Sequence, residues 1–144
     1  PLIGSAFPLH QDWSYFPSEK NTMVAAVIHL TDTSSEMGCI RLIPKSHKFG
    51  QIKKSNGHKH IDQIHSKYTL EKALPITAKA GEVLFFHSCT IHGSLPNQDL
   101  KPRKTILVQL YSGKDKIIKN DHTNVEIVLR GWNYFATRES AGKL

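Results

Sequence analysis

The 144-residue chain has little cysteine and no long hydrophobic run. Its two cysteines, Cys39 and Cys89, are too few and too far apart for a disulfide framework, and no C-x-x-C motif is present. They predict free thiols in a reducing compartment, which we take to be the cytoplasm. No apolar stretch reaches the roughly eighteen residues of a membrane-spanning helix, and no signal-peptide pattern is seen. Membrane partners and a disulfide-rich secreted fold are therefore not expected.

The sequence also lacks internal repeats and any helical period sustained over about twelve residues. Short apolar segments, separated by turn-forming residues, are instead typical of a β-sandwich or closed barrel. The predicted strands are Leu2–Leu9, Met23–Leu30, Cys39–Ile43, Pro75–Lys79, Val83–Phe86, Thr105–Tyr111 and, as an added strand, Val125–Leu129. A length of 144 residues with 39% hydrophobic content suits one domain covering 1–144.

Acidic residues are absent from one long basic span. The net charge is +7, and the cations of this span are Arg41, Lys45, Lys48, Lys53, Lys54 and Lys59. Such a patch can attract an anionic substrate or nucleic acid, although a solvated loop carrying charge for solubility is the commoner explanation. Most of the span belongs to Ser46–Lys72, which we predict to be a long loop with short helical pieces, acting as a lid or loop insertion.

Four residues suggest a metal centre with an anion-binding cation. His10 and Asp12 are two positions apart, so in extended backbone their side chains point to the same side. His92 follows the apolar run of Val83–Phe86, and Arg103 precedes the next run. Two histidines and one carboxylate on one face of an ion are the ligands of non-haem Fe(II) oxygenases. An arginine can grip a carboxylate through two parallel hydrogen bonds.

These residues lie in motifs that resemble a known family. HQDWSYFP, then MGCIRLIPKSHK, then IHGS and KPRKT occur in the order found in the phytanoyl-CoA dioxygenase family of Fe(II)- and 2-oxoglutarate-dependent oxygenases. The resemblance implies that His10, Asp12 and His92 hold the iron. It makes Arg103 the clamp on the distal carboxylate of 2-oxoglutarate, assisted by Ser94. It also implies a double-stranded β-helix, the jelly roll of cupins.

The same resemblance implies hydroxylation of a small molecule with O2, releasing succinate and CO2. Asp12 supports this outcome, since related halogenases lack a carboxylate at that position. The first motif begins ten residues into the chain, where the family has helices and a strand, so an amino-terminally truncated member is expected. Its exposed sheet edges would invite homo-oligomers. Val27 replaces a tryptophan that many relatives carry beside the co-substrate.

Two other functions remain open at this stage. The first is a non-catalytic jelly-roll module with a structural metal. The second is a nucleic-acid demethylase, but such enzymes carry a second arginine six residues beyond the clamp, where this chain has Gln109, so no nucleic-acid partner is expected. Among other candidates, Trp13 and Tyr15 either line the cavity or fill the core. We expect His87 to pack within its strand and the histidines of the long loop, His58, His60 and His65, to be solvated.

Overall fold

A computed structural model describes residues 4–52, 67–118 and 127–132. In these ranges the chain forms seven strands and two short 3-10 helices, and it forms no α-helix. The strands are β1 (Phe7–His10), β2 (Val24–His29), β3 (Ile40–Leu42), β4 (Leu74–Ile76), β5 (Val83–His87), β6 (His92–Ser94) and β7 (Thr105–Leu110). The 3-10 helices are Asp12–Ser14 and Ser46–Phe49. No helix of the described ranges is long and apolar enough to cross a membrane.

The strands form two antiparallel sheets. One sheet has the order β1-β6-β3-β4 and the other has the order β5-β2-β7. This arrangement confirms a mainly β fold. Most of the predicted strands agree with it to within a few residues, but the strand predicted over Leu2–Leu9 begins only at Phe7, and residues 4–6 lie outside any strand. β4 begins at Leu74 rather than Pro75 and ends at Ile76, because the chain then turns toward an isolated bridge between Thr33 and Ala78.

Two details differ from the sequence prediction. The segment between the predicted strands Val83–Phe86 and Thr105–Tyr111 contains a strand that was not predicted, since His92–Ser94 pairs with both β1 and β3. The described part of the predicted strand Val125–Leu129, residues 127–129, lies outside any strand, and all three side chains are exposed. That apolar run therefore has no sheet partner within the described ranges, so its composition alone was a poor guide. The lysines and histidines between residues 53 and 66 lie outside the described ranges.

Apolar side chains fill the space between the sheets. Ala25, Val27, Ile40 and Phe86 form one buried cluster, which joins the central strand of one sheet to β3 of the other. A second cluster contains Leu9, Ile43, Ala73 and Ile91 and lies around the end of β1. Because residues at i and i+2 of a strand share a face, the inner face of β2 carries Ala25, Val27 and His29. The second cluster joins Leu9 of β1 to Ile91, the residue before β6, where the two strands lie side by side.

Candidate metal centre

His10, Asp12 and His92 come together at the end of the β1–β6 pair. His10 is the last residue of β1 and lies opposite His92, the first residue of β6. Gln11 keeps an extended backbone, with φ −116 and ψ 135, and Asp12 then opens a 3-10 turn closed by backbone hydrogen bonds from Tyr15 and Phe16. The strands that carry His10 and His92 therefore lie side by side, and the extended Gln11 brings His10 and Asp12 to one side, as their spacing predicts.

The three side chains are buried and close enough to share one ion. Asp12 Oδ1 lies 3.6 Å from His10 Nε2 and 3.4 Å from His92 Nε2. One candidate ligand atom from each residue lies within 4.8 Å of the others. The exposed fraction is 5% for His10 and Asp12 and 7% for His92. Among the described residues this is the cluster of His, Cys, Asp and Glu that could hold a metal.

Backbone carbonyls fix how the two imidazoles face the centre. His10 Nδ1 lies 2.8 Å from the Pro8 carbonyl oxygen, and His92 Nδ1 lies 2.9 Å from that of Thr90. Because a carbonyl can only accept, each Nδ1 must carry the proton and donate it. Each Nε2 then faces Asp12 and is the ring nitrogen left to bind an ion. This tautomer, held by the ring nitrogen that faces away from the centre, is typical of histidines that ligate metals.

Burial and contacts set the charges of the cluster. Burial lowers the pKa of His10 below its ordinary value and outweighs the contact with Asp12, which raises it, while the neighbouring His92 lowers it further. Burial alone would raise the pKa of the Asp12 carboxyl, but its contacts with His10, His92 and Gln109 outweigh burial and hold that pKa well below its usual range. A neutral His10 and an ionised carboxylate at neutral pH suit a divalent cation.

Gln11, the residue between two of the candidate ligands, anchors the site from behind. Its side chain points away from the cluster and is 1% exposed. Its Nε2 donates to the carbonyl oxygens of Gly50, at 2.8 Å, and Cys89, at 2.7 Å, while its Oε1 accepts from the Ile52 N–H at 3.0 Å. Sequence reasoning missed this role. The alternation of a strand was the available signal, since a residue between two ligands must face the opposite side.

Gln109 is a second residue whose role sequence reasoning missed. It lies on β7 opposite Ala25, on the inner face of the sheet. Its Nε2 donates to Asp12 Oδ2 at 2.9 Å. From the sequence, Gln109 was notable only as the residue that stands where a demethylase would carry an arginine. A polar side chain inside an otherwise apolar strand was the signal that could have identified it.

Ser94 and Arg103 line a neighbouring cavity of about 480 Å³. Ser94 is two residues beyond His92 in the three-residue strand β6, so this cavity lies next to the cluster. The Arg103 guanidinium has no ion pair or hydrogen bond within the part of the chain that the structure describes, and burial lowers its pKa. The structure therefore brings His10, Asp12 and His92 together in one cluster. It places Ser94 and Arg103 together on the wall of the neighbouring cavity.

A glycine lets two segments of this cavity wall approach each other. Gly38 has a φ of +66, and a Cβ there would lie 2.6 Å from the Leu95 carbonyl oxygen. A side chain at this position would therefore push the chain after β6 away from the turn before β3. Both residues line the cavity beside Arg103. Val27 is 3% exposed and belongs to the core cluster.

The remaining candidates lie around the cluster. The Tyr15 ring is 5.6 Å from the His10 ring, and burial together with the Asp12 charge raises the pKa of its hydroxyl, so Tyr15 is close to the site. His87 accepts a hydrogen bond from the Cys89 N–H and lies outside the cluster. Cys39 and Cys89 are free and buried, as predicted, and burial raises the pKa of the Cys89 thiol.

Comparison with known proteins identifies the family. The sequence profile of the phytanoyl-CoA dioxygenase (PhyH) family matches residues 1–105. The probable alpha-ketoglutarate-dependent hypophosphite dioxygenase of Stutzerimonas stutzeri is 28% identical over 116 residues, covering 75% of this chain and 40% of that protein. The phytanoyl-CoA dioxygenase of Arabidopsis thaliana is 32% identical over 107 residues, covering 72% of this chain and 38% of that protein.

The fold is also found in solved structures. The epimerase SnoN of nogalamycin biosynthesis, in complex with Fe3+, alpha-ketoglutarate and nogalamycin RO, superposes with a TM-score of 0.69 at 18% identity. The match covers 90% of this chain and 54% of that one, and it confirms the predicted jelly roll. The chain spans less than half the length of the two curated relatives described above. With most of its length matched by the family profile, the chain belongs to the phytanoyl-CoA dioxygenase family.

Proposed function

We propose that the protein is an Fe(II)- and 2-oxoglutarate-dependent dioxygenase that hydroxylates a small molecule. The observation that carries this proposal is the buried cluster of His10, Asp12 and His92, in which both Nε2 atoms face one oxygen of Asp12. Family membership supports the same conclusion. The runner-up is a non-catalytic jelly-roll module whose metal is structural.

The donor set of the cluster fits iron. Two imidazole nitrogens and one carboxylate oxygen are the ligands that non-haem Fe(II) oxygenases use, and they leave further positions of the ion open. His10, Asp12 and His92 would hold Fe(II), which would supply the activation of O2 coupled to decarboxylation of 2-oxoglutarate, with succinate and CO2 as co-products. The residues of the chain would bind the ion and orient its ligands. The Pro8 and Thr90 carbonyls keep both imidazoles in the required tautomer.

Arg103 and Ser94 would bind the distal carboxylate of 2-oxoglutarate. Arg103 is half-buried beside the cavity that it shares with Ser94, and an arginine with no carboxylate partner in the described ranges is prepared to receive one. A guanidinium can donate two parallel hydrogen bonds to a carboxylate, while the Ser94 hydroxyl can add a third. The lower the local dielectric, the stronger this attraction becomes.

The proposed substrate is a small anionic molecule. The basic residues Arg41, Lys45 and Lys48 lie in the described ranges, and the name of the Stutzerimonas stutzeri relative gives hypophosphite, an anion, as its substrate.

Other features of the protein are also proposals. Residues 46–72 are proposed to form a lid. A nucleic-acid substrate is disfavoured because Gln109 stands where a nucleic-acid demethylase would carry an arginine, and its side chain donates a hydrogen bond to Asp12. We also keep a cytoplasmic location, a single domain and self-association through the edge strands β1, β4, β5 and β7 as proposals.

Succinate release tests the proposal. Purified protein is reconstituted anaerobically with Fe(II), exposed to O2 and 2-oxoglutarate, and supplied with hypophosphite or phytanoyl-CoA as trial substrates. We expect succinate that depends on both iron and 2-oxoglutarate, and its loss in Asp12→Ala. Lys104→Ala, a change at an exposed residue next to Arg103, is the matched control and should keep full activity. Full metal occupancy with no succinate under any condition would favour the non-catalytic module.

A further inference from the structure

We propose that Gln109 is a positioning residue that makes Asp12 present a single oxygen to the metal centre. This inference rests on the proposed function and adds to it a residue outside the ligand set. Gln109 lies on β7, in the sheet opposite the one that carries β1 and β6. It therefore joins the second sheet to the cluster.

The two oxygens of Asp12 have separate partners. Oδ1 is the oxygen nearest both histidine Nε2 atoms, at 3.6 and 3.4 Å, whereas Oδ2 accepts the hydrogen bond from Gln109 Nε2 at 2.9 Å. The amide orientation is fixed by chemistry, because turning it over would place Gln109 Oε1 against another acceptor. A hydrogen bond to an ionised carboxylate is stronger than one between neutral groups. Gln109 thus holds one carboxylate oxygen away from the two imidazoles.

Placing an amide at this position has a cost in stability, because its oxygen is left without a hydrogen bond. Gln109 Oε1 is buried and has no hydrogen-bond partner in the described ranges. Leaving a buried acceptor unpaired costs about 1–3 kcal/mol, so an apolar side chain would fit this inner face better for stability alone. Its cross-strand neighbour agrees, since Gln109 lies opposite Ala25, which is fully buried. A polar group retained at such a cost indicates a role at Asp12.

The role follows from what an unrestrained carboxylate can do. Without Gln109, Asp12 can turn and present both oxygens to the centre, which would take up a position needed for 2-oxoglutarate or O2. Removing partners that orient metal ligands typically costs about 10- to 100-fold in metal affinity or activity. Gln109 should therefore act on metal affinity and coordination, while Arg103 and Ser94 act on the distal end of the co-substrate.

The test uses Co(II) as a spectroscopic probe of the metal-free protein. Gln109→Leu removes the donor at similar volume, and Gln98→Leu, at an exposed glutamine, is the matched control. For Gln109→Leu we expect the Co(II) dissociation constant to rise about 10- to 100-fold and the visible absorption band of bound Co(II) to change shape. Gln98→Leu should match the wild type in both. An unchanged constant and an unchanged band for Gln109→Leu would overturn the inference.

A second variant covers the case in which Gln109→Leu does not fold. Gln109→Asn keeps the amide but withdraws it by one methylene, so it preserves the polarity of the site and breaks the 2.9 Å contact. It should weaken Co(II) binding and alter the band in the same direction, and wild-type behaviour would contradict us. The proposed function fails separately: if the wild type binds no Co(II), or if Asp12→Ala binds it equally well, the metal centre itself is refuted.

Discussion

His10 and His92 lie opposite each other on neighbouring strands, with ring centroids 4.2 Å apart and the rings tilted by 53°. These two imidazoles both direct Nε2 toward Asp12, an arrangement that suits an ion held between the three side chains. Their Nδ1 protons are already used by Pro8 and Thr90. The strand pairing thus forms a ligand site before any metal arrives.

Removal of one imidazole should abolish tight metal binding. For His92→Ala we expect the Co(II) dissociation constant to rise by at least about 100-fold, since one of three ligands is lost. Isothermal titration of metal-free protein measures this change. His87→Ala is the matched control, because His87 lies in the preceding strand but outside the cluster, and it should bind Co(II) like the wild type. Equal loss in both variants would mean that the cluster is not the metal site.

The proposed clamp should affect co-substrate binding and leave the metal in place. Arg103→Lys keeps the charge but loses the two-bond geometry, so we expect the KM for 2-oxoglutarate to rise about 10-fold or more. Ser94→Ala removes one hydroxyl and should raise the same KM by several-fold, in line with about 1 kcal/mol for a hydrogen bond. Initial rates of succinate release at saturating Fe(II) measure both effects. Lys104→Ala should leave the KM unchanged.

The clamp prediction also has a result that would contradict it. If Arg103→Lys lowered Co(II) affinity as strongly as His92→Ala, Arg103 would belong to the metal centre or would hold up the fold. An unchanged KM in Arg103→Lys would instead mean that other residues bind the distal carboxylate of 2-oxoglutarate. Thermal unfolding of the metal-free variants separates a folding defect from either outcome.

The sequence predicted the three members of the candidate metal cluster because their chemistry is local, and the structure brings them together. His10, Asp12 and His92 occur in short motifs, and the strands that carry them have clear apolar patterns. Gln11, Gln109 and His29 were not predicted because their roles depend on contacts made across the fold. Gln109, for example, is 97 residues from Asp12, and only the pairing of β7 with β2 brings it there. No pattern within β7 specifies which residue of another strand it will touch.

Short strands were also harder to place than long ones. β2 and β7 have six residues each and were predicted almost to the residue, because a long apolar run has few alternatives. β6 has three residues, His-Gly-Ser, and no apolar content at all. It is a strand because Leu42 and His10 both pair with His92. Tertiary pairing rather than propensity decides such cases.

Gln11 should be the most sensitive residue for stability near the site. Gln11→Ala would leave the Gly50 and Cys89 carbonyls and the Ile52 N–H without their side-chain partner. We expect a loss of about 3 kcal/mol in the free energy of unfolding, since each unpaired buried group costs about 1–3 kcal/mol and some will find water. Urea denaturation of the metal-free protein measures it. Gln98→Ala, at an exposed site, should change stability by less than about 0.5 kcal/mol.

His29 should make the stability of the protein depend on pH. It is 1% exposed on the inner face of β2, and neither ring nitrogen has a hydrogen-bond partner in the described ranges. Burial lowers its pKa below 6.5, the Arg103 charge lowers it further, and Glu82 opposes this only weakly. The unfolded chain therefore binds a proton more readily than the folded one. Its contribution to stability is complete above about pH 6.5 and is lost as the pH falls through the lower, folded-state pKa.

His29→Phe isolates this effect, because phenylalanine keeps the ring shape and cannot titrate. We expect the metal-free wild type to lose stability between pH 7 and pH 5, and the variant to lose measurably less. His10, whose pKa burial also lowers, contributes to the slope that remains. Urea midpoints measured at half-unit pH steps give both curves. Parallel curves for the wild type and His29→Phe from pH 7 to pH 5 would contradict this prediction. They would mean that His29 binds a proton as readily in the folded protein as in the unfolded chain.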